Sequence, residues 1–396
     1  MIGDIITLLL HKNLKKRYLF IDMDKKRILI IGAGISGCTL AEKFASLGNE
    51  FEVILVEKRS HIAGNCYDFI DRNGILVPGY GPHYFHTDYE DVWEYVKKFS
   101  EWKPYEHRVL SYVDKKHVPI PVNITTINKL LGENLRNEED IQKWLEKNTL
   151  KIKNPKNSEE MALSLIGEKL YEKLFKNYTK KQWNKHPRDL HPLVISRIPV
   201  RKNFDDRYFN DKYQMMPFIG YTNMFNNMLK KPNIKLFLNI DYFKSNFKDN
   251  EFDFVFFTGR IDSFFKYLNE SPLSYRSLIF KHEFYNKEFF QKTAVINYPN
   301  DYRFIRITEP KHANFQKSSR TTIIKEYPHD NGEPYYPVFS DENNKILKIY
   351  QKEAKKAKKN NIYMVGRLAE FKYFNMDDAF KNALNLFNNI FKKNNF

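Results

Sequence analysis

The chain has 396 residues, 42% of them hydrophobic, with 33 phenylalanines and 25 tyrosines, which supplies a sizeable core and two or three domains and excludes a disordered chain. Its formal charge of +17 would suit an anionic partner, but the lysines are evenly spread. Clusters such as KKAKK at 355–359 fall on expected helices without interleaved aromatics, so nucleic acid is not an expected partner.

In chain order, the aliphatic run at 5–10 is too short to span a bilayer and follows no basic segment. No stable membrane insertion and no signal peptide are expected, and the protein is expected in the cytoplasm. Residues 1–22 read as an added N-terminal extension, with surface packing of the 5–10 run as the alternative. The two cysteines, Cys38 and Cys66, form no CxxC pair and no metal-like cluster, which fits a reducing compartment.

From Lys25 the chain reads KKRILIIGAGISGCTLAEKFASLGNEFEVILVEKRSHIAGN. The aliphatic run predicts a buried strand at 27–31, and Gly32, Gly34 and Gly37 form G-x-G-x-x-G around Ile35 and Ser36. A helix is expected at 39–47, stopped by Gly48, and a second strand at 51–56 ends at Glu57. Such glycines let a pyrophosphate approach backbone N–H groups at a helix N-terminus, and an acid about 20 residues on accepts ribose hydroxyls. The following Glu57-Lys58-Arg59 and Ala63-Gly64-Asn65 resemble the E-x-R-x-x-x-G-G extension of amine-oxidase-like flavoproteins, with Ala63 replacing the first glycine. FAD is therefore expected rather than NAD.

The stretch VPGYGPHYFHTD at 77–88 sets His83 and His86 three apart among glycines, prolines and aromatics, which is not a helix composition. A metal would need a third ligand, and none stands at suitable spacing, so no metal is expected. Asn157-Ser158-Glu159-Glu160 reads as a capped helix start, followed by a buried stripe of Ala162, Ile166, Leu170 and Leu174. The adjacent stripe of Tyr171, Phe175, Tyr178 and Gln182 reads, as a bare pattern, as core. Short buried strands are expected at 252–257 and 361–365, returning to the first sheet, and the second leads into Gly366-Arg367, whose guanidinium suits a pyrophosphate.

The segments YGPHYFHT, NYTKKQW, SRIPVR, RYFNDKYQMMP with GYT, YRSL, IKEYP, GEPYYPV and VGRLAEFKYFNMD, in that order, resemble the prokaryotic-type UDP-galactopyranose mutase family from about Arg27 to Ala383. The resemblance implies an α/β fold with three parts. A discontinuous Rossmann-like FAD-binding domain would take 23–100, 218–262 and 345–396. A helical substrate domain would take 123–192, and an antiparallel-sheet domain 101–122, 193–217 and 263–344. The implied function is an isomerase of galactofuranose and cell-surface polysaccharide biosynthesis, interconverting UDP-galactopyranose and UDP-galactofuranose. Reduced FAD would attack the anomeric carbon through N5, displace UDP and open the ring as an iminium, with no net redox change. An unidentified reductant such as NAD(P)H would serve it, and the family allows a homodimer.

By the same resemblance His83 and His86 lie against the flavin and the sugar, and Asn65 and Met376 join the cofactor residues. Arg197 and Arg306 would neutralise the diphosphate, with Tyr208, Tyr336 and Tyr373 as phosphate-binding phenols. Trp183 would lie by the sugar and Phe175 and Tyr178 by the uracil, with Thr179 counted among the substrate residues. Arg276 is counted with the substrate residues, in the surrounding shell with Glu326. Asn375 stands where the family has an aspartate, Phe374 where it has a tyrosine, and Asn184 follows KQW in place of glycine. The competing reading is an FAD-dependent oxidoreductase of the amine oxidase class, which shares the nucleotide-binding unit but has no need of a diphosphate clamp.

Overall fold

The computed structural model describes residues 25–196 and 199–394. The expected extension, the 5–10 run and Arg197 lie outside these. Strand Lys26–Ile31 sits at the centre of a five-stranded parallel sheet in the order Ile234–Phe237, Phe51–Val56, Lys26–Ile31, Phe254–Phe257, Ile362–Met364. The inner strands of a parallel sheet are covered on both faces, which is why 28–31, 53–56 and Phe254–Phe257 are continuously apolar, whereas the edge strand Ile234–Phe237 carries the exposed Lys235 and Leu236. Ile28 and Ile30 face the helices Ile35–Ala45 and Met376–Asn394, while Leu29 and Ile31 pack with Ile54, Val56, Val255 and Phe257 on the other side. The helix expected at 39–47 starts at Ile35, because the glycine turn is itself the first helical turn.

A seven-stranded sheet forms the second layer, in the order Tyr336–Pro337, Tyr275–Tyr285, Thr321–His329, Arg306–Thr308, Val295–Asn297, Val109–Val113, Lys116–Ile120. All its pairings are antiparallel except Val295–Asn297 with Val109–Val113, which is parallel. Its register matters for the site, since Arg306 stands directly opposite Glu326.

Helices between Ile124 and Trp183 pack on the Val109–Ile120 end of this sheet, through Ile127, Ile141, Trp144, Ile166, Leu170 and Leu174. The helix Ser158–Leu170 begins as expected, with the Asn157 side chain accepting from the Glu160 amide at 2.9 Å. It then breaks at Gly167, whose φ of +76° no other residue tolerates well and where a Cβ would sit 2.1 Å from the Asn148 carbonyl. A π-helical turn at Tyr171–Lys176 follows.

A three-stranded sheet, Phe85–Thr87, Tyr213–Pro217 and Trp102–Pro104, ties the histidine stretch to the body of the protein. No helix among the described residues is long and apolar enough to cross a membrane.

Candidate active site

The glycine-rich turn forms a groove by leaving side chains out. A Cβ on Gly64 would come within 2.8 Å of the Gly34 Cα, and one on Gly37 within 1.8 Å of the Gly32 carbonyl oxygen. The helix Ile35–Ala45 has Gly34 at its N-cap and no side-chain cap, so its first-turn amides at Ile35, Ser36 and Gly37 are left for an anion. The third edge of the groove is Gly366, whose φ of +96° brings its backbone against the Ser36 hydroxyl. Glu57 is buried at the end of the second strand, accepting from the amides of Ala33 at 2.8 Å and Arg59 at 2.9 Å. Each of its oxygens keeps a lone pair for a ribose hydroxyl. A dinucleotide pyrophosphate fits this cradle. Ala63 carries a left-handed φ of 73°, so the backbone keeps the glycine conformation although the residue has changed.

Lys58 and Arg59 stand beside the groove. Both bond Glu333, Lys58 Nζ at 2.8 Å and Arg59 Nη2 at 3.0 Å, and Arg59 also reaches Asn65 Oδ1 at 3.1 Å. Lys58 is exposed and lies away from the cleft described next.

Beside the groove opens a cleft of about 550 Å³. In the strand Phe85–Thr87, Phe85 and Thr87 point into the core, against Trp102 and Phe380 in the case of Phe85, while His86 faces the cleft on its first wall, joined by His83 and Tyr84 from the segment before the strand. His83 Nδ1 donates to the Gly81 carbonyl at 3.0 Å, which leaves Nε2 as an acceptor, and desolvation followed by the Arg367 charge lowers its pKa to about 4. The ring is therefore neutral at pH 7. His86 stacks on Phe209 at 3.7 Å and pairs through Nδ1 with Asp211 at 3.0 Å.

Arg306 supplies the charge of the second wall. It lies 3.5 Å from Glu326 and its Nη2 donates to the Tyr178 hydroxyl at 2.7 Å. Burial opposes this charge, but Glu326 and the phenols of Tyr178 and Tyr336 hold the guanidinium protonated. Burial likewise raises the Glu326 carboxyl, with Arg306 pulling it back. Tyr84 Oη and Asn297 Oδ1, both on the cleft wall, are buried with no hydrogen-bond partner among the described residues. Buried polar atoms of this kind call for a polar ligand.

Helix Asn177–Trp183 forms the third wall with Tyr178, Thr179, Gln182 and Trp183, continued by Phe175 from the π turn. The aromatic stripe thus divides. Tyr171 is core, bonded to Glu159 at 3.0 Å, whereas Phe175, Tyr178 and Gln182 face the cleft. Asn184 takes the left-handed conformation a glycine would, φ 51°, and its amide donates to Asp330 at 2.9 Å. Tyr208, Tyr336, Arg367, Tyr373, Asn375, Met376 and Asn65 also line the cleft.

Arg276 is the exception among the expected substrate residues. It is buried behind the helix, donating to the Gln182 carbonyl at 2.9 Å and pairing with Asp330, and does not face the cleft. Its reach is taken up by the end of the Trp183 helix. Conversely, His107, Asp211 and Asn297 face the cleft without having been expected there. Asp211 lies within the quoted RYFNDKYQMMP segment, but His107 and Asn297 carry no local pattern.

Residues 173–373 match the family model described as UDP-galactopyranose mutase, and 30–99 match one described as an NAD(P)-binding Rossmann-like domain. A Klebsiella pneumoniae protein described as a probable UDP-galactopyranose mutase is 38% identical over 91% of this chain and 94% of its own. An Escherichia coli protein described as dTDP-fucopyranose mutase is 36% identical over 90% and 96%. A crystal structure of reduced UDP-galactopyranose mutase superposes with a TM-score of 0.72 at 17% identity, covering 93% of this chain and 94% of that one, which shows the shared fold.

Proposed function

The chain belongs to the UDP-galactopyranose mutase family of flavin-dependent isomerases, and from that premise we propose that it interconverts UDP-galactopyranose and UDP-galactofuranose in the cleft, beside a reduced FAD. The observation that carries this is Arg306, a half-buried guanidinium on the wall of a nucleotide-sized cleft, with Tyr336, Tyr373 and Tyr208 around the same space. A diphosphate brings two negative charges, and a desolvated, hydrogen-bonded arginine is the group that compensates them. An amine oxidase would share the groove but has no use for this clamp.

When bound and reduced, FAD would supply the nucleophile, its N5, that holds C1 while UDP is displaced and the ring opens. The rest falls to the chain. The cradle at Gly34, Gly37 and Gly64 with Glu57 holds the dinucleotide, and Asn65, Arg367 and Met376 bring its reactive end to the cleft. Neutral His83 offers Nε2 as an acceptor toward the reacting sugar, and the Asp211 carboxylate stands 3.0 Å from His86 Nδ1. Phe175 and Tyr178 close over the nucleoside, and Trp183 packs by the sugar. We place the enzyme in the cytoplasm, a setting that suits two buried free thiols, Cys38 and Cys66.

The relative described as dTDP-fucopyranose mutase lies almost as near in sequence, so a thymidine-linked fucose is the competing substrate. The test is a titration of the purified yellow protein with UDP and with dTDP, read by flavin fluorescence. Saturable UDP binding, with FAD as the chromophore released on heating, supports the reading. Tighter binding of dTDP would move the substrate to the fucose nucleotide, and binding of neither would reject the clamp.

A further inference from the structure

Lys181 sits on helix Asn177–Trp183 but does not face the cleft, unlike Tyr178, Thr179, Gln182 and Trp183 on the same helix. Its ammonium donates instead to three backbone carbonyls, those of Tyr298 at 2.5 Å, Tyr302 at 2.8 Å and Phe304 at 3.5 Å. All three belong to the hairpin connection between strands Val295–Asn297 and Arg306–Thr308, which is closed by Tyr298 N–H to Ile305 O at 2.8 Å. The same connection is fastened to the helical side by Asn177 Nδ2 to Asn300 Oδ1 and Asn300 Nδ2 to the Lys173 carbonyl, both 3.1 Å.

An ammonium has three donors, and three carbonyls use all of them. A solvated surface lysine has no such arrangement. Desolvation lowers the pKa of this one to about 8, with Asp301 opposing, so the carbonyl dipoles hold a charge that burial disfavours. The geometry has one consequence for the site. The hairpin ends one residue before Arg306, and the helix carries Tyr178, the hydroxyl to which Arg306 donates. Both members of the Arg306–Tyr178 bond are therefore held in place by the Lys181 clasp.

We infer that Lys181 is a positioning residue: it locks the helix Asn177–Trp183 onto the hairpin before Arg306 and so sets the affinity of the cleft for a nucleoside diphosphate. The inference rests on the proposed function, which makes Arg306 the diphosphate ligand.

The test compares Lys181→Met, which keeps length and loses the donors, with Lys181→Arg, which keeps donors, and Asn300→Ala, which loosens the same hairpin elsewhere. UDP dissociation constants, KM and kcat for UDP-galactofuranose, flavin content and Tm are measured on each purified flavoprotein. Lys181→Met should raise the UDP Kd and KM about tenfold, the scale of losing charge-assisted hydrogen bonds, with kcat within about twofold of wild type. Lys181→Arg should recover most of that loss, and Asn300→Ala should shift Kd in the same direction by less. A lower Tm or flavin content with an unchanged UDP Kd would make Lys181 a purely structural residue and overturn the inference. If Lys181→Met does not fold, an unchanged Kd in Asn300→Ala overturns it equally. A wild-type protein that ignores UDP rejects the functional reading and this inference with it, whereas wild-type binding with unchanged variants rejects the inference alone.

Discussion

The groove around residues 32–37 is made of backbone from one continuous βαβ unit, closed by Gly64 and Gly366, whereas the cleft beside it is made of side chains brought from positions as far apart as His83 and Asn375. The groove is shaped by what is missing: where Gly37 and Gly64 stand, any Cβ would meet backbone that cannot yield. The cleft is defined by what is present, a half-buried guanidinium balanced by one carboxylate and surrounded by phenols. Changes in the first should act through sterics and remove the cofactor. Changes in the second should act through charge and spare it.

The sharpest way to break this contrast is Gly37→Val. Its Cβ would lie 1.8 Å from the Gly32 carbonyl oxygen, so the turn must open, at a cost of about 3 kcal/mol from overpacking. The variant should purify without flavin, read as the visible absorbance per protein, and should melt earlier. Full flavin content would show that the cradle is not where the dinucleotide sits.

Arg306→Ala should do the converse. Flavin content stays at the wild-type level, while UDP affinity falls by roughly 2–5 kcal/mol because one member of a desolvated charge pair is gone. The removal also leaves Glu326 buried without its counter-charge. Adding Glu326→Gln should therefore restore the melting temperature without restoring UDP binding. Recovery of binding in the double variant would show that charge balance alone, not the guanidinium, makes the clamp.

A smaller effect separates the regions by pH. The cleft holds His83 and His107 with pKa values lowered to about 4 and about 3, by desolvation first and by Arg367 or Arg306 second, from an ordinary value of 6.5. Below pH 6.5 the unfolded chain takes up protons that these buried rings refuse, so the stability they allow is complete above 6.5 and declines as pH falls toward 4. Urea midpoints between pH 7 and pH 4.5 should fall accordingly, and His107→Asn should flatten the decline. An unchanged slope would mean that His107 is solvated.

The smallest effect lies in the groove. Ala63 holds a φ of 73°, a conformation that costs an L-residue roughly 1–2 kcal/mol and glycine almost nothing. Ala63→Gly also gives up a fully buried methyl, worth about 0.8 kcal/mol. The net change should be a stabilisation below about 1 kcal/mol, with flavin content unchanged. A clear destabilisation would show that the methyl packs better than the backbone is strained.

The same contrast explains what the sequence discloses. The strands at Lys26–Ile31 and Phe51–Val56, the glycine turn and Glu57 follow one another within one supersecondary unit, so spacing alone places them. The cleft depends on register. Nothing local to Arg306 and Glu326 announces that antiparallel pairing sets them opposite each other, nor that Asn297 and His107 turn to the same space. Family resemblance names most of the cleft residues, and it names Arg276 in the surrounding shell, where its guanidinium donates to the Gln182 carbonyl behind the cleft wall. Helical periodicity could not split Tyr171 from Phe175 and Tyr178, because the break at Gly167 and the π turn at Tyr171–Lys176 rotate successive residues away from a 3.6-residue pattern.

In the proposed reaction groove and cleft act together, flavin in one and nucleotide sugar in the other. The most direct test incubates UDP-galactofuranose anaerobically with the photoreduced protein and with the oxidised protein, and separates the nucleotide sugars by chromatography. UDP-galactopyranose should accumulate with the reduced form and little with the oxidised form, with no stoichiometric consumption of reductant. Equal conversion by both forms, or no conversion by a reduced protein that binds UDP, would contradict the proposed reaction.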